Sequence, residues 1–143
     1  MKALQFDDLN VGDSWITPAR TVTEADVVHF AAMTGDFNPL HVDHEFAANG
    51  PFKKPIAHGL LGISWVAGLG CNHPKVNTVA FVAIRQWSFL RPVYFGDTIH
   101  VESNIAEKGD IGKRGGAVLW NHTVVNQKNK IVQQGVFETL VTV

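Results

Sequence analysis

Residues 59–71, GLLGISWVAGLGC, constrain the fold more than any other part of the chain. Leu60, Leu61, Ile63, Trp65, Val66, Ala67 and Leu69 fall on every side of a helical wheel, while Gly62, Gly68 and Gly70 allow close backbone approach. A helix apolar all round belongs either in a membrane or in a protein core. Crossing a bilayer takes about twenty residues, so this shorter run predicts a buried core helix. Each glycine costs roughly 1 kcal/mol of helix propensity relative to alanine, so packing against the rest of the chain has to hold it.

The second half of the chain supplies the packing partner. Residues 76–89 are long and rich in Val, Phe and Ile, and residues 98–106 alternate Ile99, Val101 and Ser103 against His100, Glu102 and Asn104. Residues 117–125 and 131–143 complete the set, joined by a tight turn at Lys128, Asn129 and Lys130. A polar hairpin loop is predicted over 109–116. Residues 14–22 make a first strand broken at Pro18. About five strands on short turns are mostly antiparallel, and with one buried helix they predict an α+β domain over residues 1–143. One such layer leaves a strand edge uncovered, which favours a homodimer.

Before the core helix, Thr23 can cap a helix over 23–33, with Glu24 and Asp26 in its first turn and Gly35 ending it. Pro39 then stiffens the turn from Asp36 to Leu40, and Asp43 can cap a short helix over 44–48. Asp36, Asn38 and His41 crowd this turn. A carboxylate and an imidazole sharing one water form an acid–base pair, and Asn38 can fix the orientation of either. The same residue types also make an ordinary helix-ending turn in which Asp and Asn satisfy loose backbone groups, and both readings stay open. At His58 and Gly59 the core helix begins, where free N–H groups and the helix dipole can hold a developing oxyanion; a plain cap is the alternative.

Other classes are disfavoured. The formal charge of -1 without long like-charged runs offers no nucleic-acid face. The solitary Cys71 has no disulfide or zinc partner and reads as a buried or half-buried thiol. His41, Asp43, His44 and His58 are ligand types, but their spacing matches no zinc pattern. His29 reads as a surface or half-buried side chain of the first helix, and His73, His100 and His122 read as structural. Asp7, Asp8 and Asp13 stand where a signal peptide needs a basic start, so a cytoplasmic protein independent of membranes is expected.

Gly35-Asp36-Phe37-Asn38-Pro39-Leu40-His41, then Asp43 and Ala47, and Pro55-Ile56-Ala57-His58-Gly59-Leu60-Leu61 resemble the MaoC-like (R)-specific enoyl-CoA hydratases, the hydratase 2 group of hot-dog proteins. Arg91-Pro92-Val93-Tyr94-Phe95-Gly96-Asp97-Thr98 resembles the family's later turn. The resemblance implies a dimeric hot-dog fold and syn hydration of a trans-2-enoyl thioester to an (R)-3-hydroxyacyl-CoA. Asp36 and His41 would activate water, Asn38 would support them, and the Gly59 N–H would bind the thioester oxygen. His58 would join the substrate site, Ser64 could meet the acyl chain, and Lys53, Lys54 or Arg85 could meet coenzyme A phosphates. No cofactor or metal is implied. A hot-dog thioesterase and a non-catalytic acyl-thioester-binding subunit are the alternatives.

Overall fold

The computed structural model describes residues 1–143. Ten elements follow in order: β1 (Ser14–Ile16), β2 (Arg20–Thr21), α1 (Glu24–Thr34), α2 (Pro39–Val42), α3 (His44–Ala48), α4 (Gly59–Gly70), β3 (Thr78–Phe89), β4 (Thr98–Gly112), β5 (Gly115–Val125) and β6 (Ile131–Val141). The strands form one antiparallel sheet in the order β1-β4-β5-β6-β3, with β2 also pairing on β4. Six strands thus replace the expected five, because Pro18 splits the first into β1 and β2.

Local chemistry explains α1. The Thr23 hydroxyl accepts from the Asp26 N–H at 3.1 Å, and the Thr23 N–H donates to Asp26 Oδ2 at 3.0 Å, a capping box that satisfies donors at both positions. Burial alone would raise the Asp26 carboxyl, but the bonds from Thr23 and the Arg20 guanidinium outweigh it and hold the pKa below its ordinary value. At the other end Gly35 takes φ +82° and its N–H closes on the Ala31 carbonyl. α3 begins as expected, with the Phe46 N–H donating to Asp43 Oδ1 at 2.9 Å.

The core is one cluster in which Leu61 and Val66 of α4 meet Val101, Ile105, Val118, Val124 and Phe137 of the sheet. Each such side chain contributes about 1.5–3 kcal/mol on burial, which is how a glycine-rich segment stays helical. The expectation that α4 is buried all round is corrected in one respect. Leu61, Gly62 and Val66 are buried, but Leu60 is 63% exposed and Ser64, Ala67 and Gly68 are also exposed. One helix face is left uncovered.

The β4–β5 hairpin also differs from expectation. Residues 109–116 are not a loop: β4 runs to Gly112, β5 resumes at Gly115, and only Lys113 and Arg114 turn between them. The glycines are there for close approach rather than for flexibility. A Cβ on Gly116 would lie 2.3 Å from the Phe6 ring, and one on Gly109 would lie 3.1 Å from the Ala117 Cβ.

Candidate active site

Two turns meet, one leading into α2 and one leading into α4. After Gly35 the chain reverses, with the Asp36 N–H on Thr34 Oγ1 and the Asn38 N–H on Asp36 Oδ1, each at 3.2 Å. Asn38 Oδ1 accepts from the Leu40 N–H at 3.0 Å and so caps α2, where Pro39 fills the first position. Asn38 therefore touches neither catalytic candidate with its amide. It fixes the Asp36 carboxylate through its backbone N–H and fixes His41 through the helix that carries it.

His41 is 9% exposed, and its Nδ1 lies 2.7 Å from the Ile56 carbonyl oxygen. A carbonyl only accepts, so Nδ1 carries the proton and, in the neutral ring, Nε2 keeps its lone pair. His58 is 3% exposed, and its Nε2–H donates to the Asp36 carbonyl oxygen at 2.9 Å. Its Nδ1 is buried without a partner. The two imidazoles stack at 3.8 Å with planes 27° apart, and Phe30 closes the stack 4.9 Å from His58. Together these bonds bring an Asp36 carboxylate oxygen and one nitrogen from each of His41 and His58 within 4.8 Å of one another.

Three donor groups at that separation invite a metal reading. The stack works against it, because lone pairs in two nearly parallel ring planes converge poorly on one ion, and tetrahedral sites need convergence. The Asp36 side chain is 51% exposed while both rings are buried. That arrangement gives an accessible carboxylate braced by a rigid aromatic backing.

Beside His41 opens a groove of about 410 Å³ lined by Leu40, His41, Phe52, Ile56, Ala57, Gly59, Phe89, Leu90, Arg91, Pro92, Val93 and Gln133. Gly59 is the first residue of α4, and its N–H has no acceptor in the chain. Such a first-turn donor, at the positive end of the helix dipole, suits an anionic or carbonyl oxygen.

The other expected residues stand outside this groove. His58 faces the Asp36 turn rather than the groove, and Ser64 donates to the Leu60 carbonyl at 2.9 Å within its own helix. Arg85 is paired with Glu138. Lys53 is exposed, and the Lys54 ammonium sits 4.8 Å from the Tyr94 ring, whose hydroxyl bonds the Phe52 carbonyl at the groove wall. Cys71 is exposed, not buried. Gln133 escaped the sequence reasoning: buried to 3%, it donates from Nε2 to the Gly59 carbonyl at 3.1 Å. Adjacent glutamines directly after the apolar start of β6 were the available signal. His122 escaped too. Its Nδ1 lies 2.7 Å from Ser103 Oγ, and burial pushes its pKa down from 6.5 to about 4.

A model of the MaoC-like domain matches residues 9–126. The chain belongs to the MaoC-like domain family. It is 38% identical over 103 residues to protein MaoC of Klebsiella aerogenes, covering 72% of this chain but 31% of that protein. It is 37% identical to a 3-hydroxybutyryl-CoA dehydratase of Methylorubrum extorquens, covering 75% of this chain and 67% of the relative. With the (R)-specific enoyl-CoA hydratase of Aeromonas caviae it shares 40% identity over 57% of this chain and 60% of the relative. Among solved structures it resembles a monoamine oxidase regulatory protein from Archaeoglobus fulgius, at TM-score 0.91 and 35% identity over 97% of this chain and 94% of that one. A double hot-dog protein of Mycobacterium tuberculosis, 20% identical, superposes at TM-score 0.85 over 99% of this chain and 45% of its own, which fixes the fold as hot-dog. The relatives named dehydratase and hydratase are hydro-lyases by name, which places hydro-lyases within this family.

Proposed function

We propose that this protein reversibly hydrates trans-2-enoyl-CoA thioesters to (R)-3-hydroxyacyl-CoA. One observation carries the reading. His41 is locked by the Ile56 carbonyl into the tautomer whose Nε2 accepts, and it stands with the Asp36 carboxylate inside a 4.8 Å cluster. A single water held between them can give a proton to one partner as its oxygen bonds to C3. The proton returned to C2 completes syn addition, so one water supplies both new bonds and no atom is left over. Pairs of this kind contribute about 10²–10⁴-fold in rate.

Electrons pushed from C3 collect on the thioester oxygen, and the free Gly59 N–H is the donor suited to hold it. One such donor is worth on the order of 10²–10³-fold. The thioester carbonyl is itself the electron sink, so the reaction proposed needs no cofactor or metal. Arg91, exposed on the groove wall with Nη1 on the Ile131 carbonyl at 2.6 Å, replaces Arg85 as the cation best placed for a coenzyme A phosphate. Coenzyme A substrates accord with a cytoplasmic location, and no helix is long and apolar enough to cross a membrane.

A homodimer completes the proposal. β3 is an edge strand with no outer neighbour, and Val79, Phe81, Val82 and Ile84 on it are 43–52% exposed. An apolar strand edge of this length is a liability unless paired, and a second copy would pair it isologously.

Incubation with crotonyl-CoA tests the activity. A hydratase bleaches the enoyl absorbance without releasing thiol. Thiol release would instead establish the thioesterase alternative, and neither change would leave an acyl-thioester-binding role.

A further inference from the structure

Trp87 touches a wall residue of each of two spaces, Gln133 of the groove and Phe137 of a second cavity. Gln133 is the one residue of β6 that lines the catalytic groove, and a separate cavity of about 340 Å³, sharing no wall residue with it, is lined by Ala67, Gly70, Ser103, His122 and Phe137 among others. Position along α4 gives their order. At about 1.5 Å per residue, Gly62 lies roughly 4–5 Å beyond Gly59, and Val66, another residue of the cavity wall, roughly 10 Å beyond it. Gly62 is the residue that covers Gln133: a Cβ there would come 2.3 Å from Gln133 Nε2.

Trp87 is fastened to both walls. Its Nε1–H donates to Gln133 Oε1 at 3.1 Å, and its ring lies 5.3 Å from that of Phe137. The backbone is shaped to put it there. The β3–β6 register slips between Arg85 and Ser88, and Gln86 takes φ +54°, a bulge of the kind that re-aims a side chain beside an active site. Opposite, Gly135 leaves the space the indole occupies, since a Cβ would come 2.5 Å from Trp87 Cε3.

We infer that Trp87 and Gln133 form a partition closing the acyl end of the groove, so that the enzyme takes short-chain 2-enoyl thioesters and rejects those long enough to need the cavity behind. The inference rests on the hydratase reading. A chain that has to displace a hydrogen-bonded indole packed against the core loses binding in the transition state, whereas a chain that stops short of it does not. Single steps of fit in such pockets discriminate about 10–200-fold.

The test is kcat/KM for crotonyl-CoA and trans-2-octenoyl-CoA, expressed as a ratio within each protein so that partial unfolding cancels. Wild type should favour crotonyl-CoA by about tenfold or more. Trp87→Leu should raise the octenoyl share by a similar factor, and Trp87→Phe, which keeps most of the wall, should not. Adding Gly70→Leu to Trp87→Leu should reverse the gain, because a Cβ on Gly70 enters open space at the cavity. Equal wild-type rates on both substrates overturn the partition, as does a ratio unmoved by Trp87→Leu. Absence of hydration of either substrate by wild type overturns the hydratase reading itself, a distinguishable outcome.

Discussion

His58→Phe separates holding the site from holding the fold. Phenylalanine keeps an aromatic ring between His41, 3.8 Å away, and Phe30, 4.9 Å away. It deletes the 2.9 Å bond to the Asp36 carbonyl, a net loss of about 1 kcal/mol for a typical hydrogen bond. It also deletes Nδ1, which is buried with no partner, and relief of such an orphan returns about 1–3 kcal/mol. Stability should therefore change by no more than about 1 kcal/mol, or rise. Catalysis should not be spared, because the Asp36 turn loses the side chain that fixes its carbonyl, and a shift of about 1 Å at a reacting group costs on the order of 10²-fold. Urea midpoints and steady-state hydration of crotonyl-CoA read the two effects separately, with kcat falling roughly 10–10²-fold and KM little changed. Wild-type kcat in a folded His58→Phe protein would refute the positioning role; a loss of several kcal/mol with kcat per folded molecule intact would show that His58 serves only the core.

Acid sensitivity is expected from His122, whose folded pKa near 4 lies below its ordinary 6.5. Between those values the unfolded chain binds the proton and the folded chain does not, so stability is full above pH 6.5 and falls by about 3 kcal/mol as pH drops toward 4; His122→Gln should flatten that part of the urea-midpoint profile. Gly62→Ala places a methyl on the Gln133 amide and should cost about 1–3 kcal/mol of stability through overpacking, with an additional drop in kcat because Gln133 holds the Gly59 carbonyl, both measurable on the purified variant. Val82→Lys puts a charge on the exposed β3 edge and should convert a species of twice the 15.7 kDa chain mass into one of single mass in sedimentation velocity.

Much of this molecule was legible because its signals are local. Thr23, Asp26 and Gly35 mark the ends of α1 within one turn of sequence, and Asp43 does the same for α3. The apolar helix α4 and the alternation along β4 follow from periodicity. What escaped depends on partners far along the chain. Arg85 seemed free for phosphate until Glu138, 53 residues away, proved to neutralise it. His58 read as a substrate contact, yet its bond reaches back 22 residues to the Asp36 carbonyl. The glycines of 109–116 read as a loop because their purpose, admitting Phe6 and Ala117, exists only once the sheet is assembled. The exposed face of α4 marks the limit of reading one copy: a helix apolar all round predicts burial, and in a single chain only one side is covered.

In the hydration proposed, Asp36 and His41 act together on one water beside the free Gly59 N–H. Hydration of crotonyl-CoA by Asp36→Asn tests it most directly, since the side chain is 51% exposed and an isosteric amide leaves the turn's Asn38 N–H bond an acceptor. Loss of about 10²–10⁴-fold in kcat, with an unchanged unfolding midpoint and no thiol released, is the result expected. Hydration at the wild-type rate by the folded variant would contradict it.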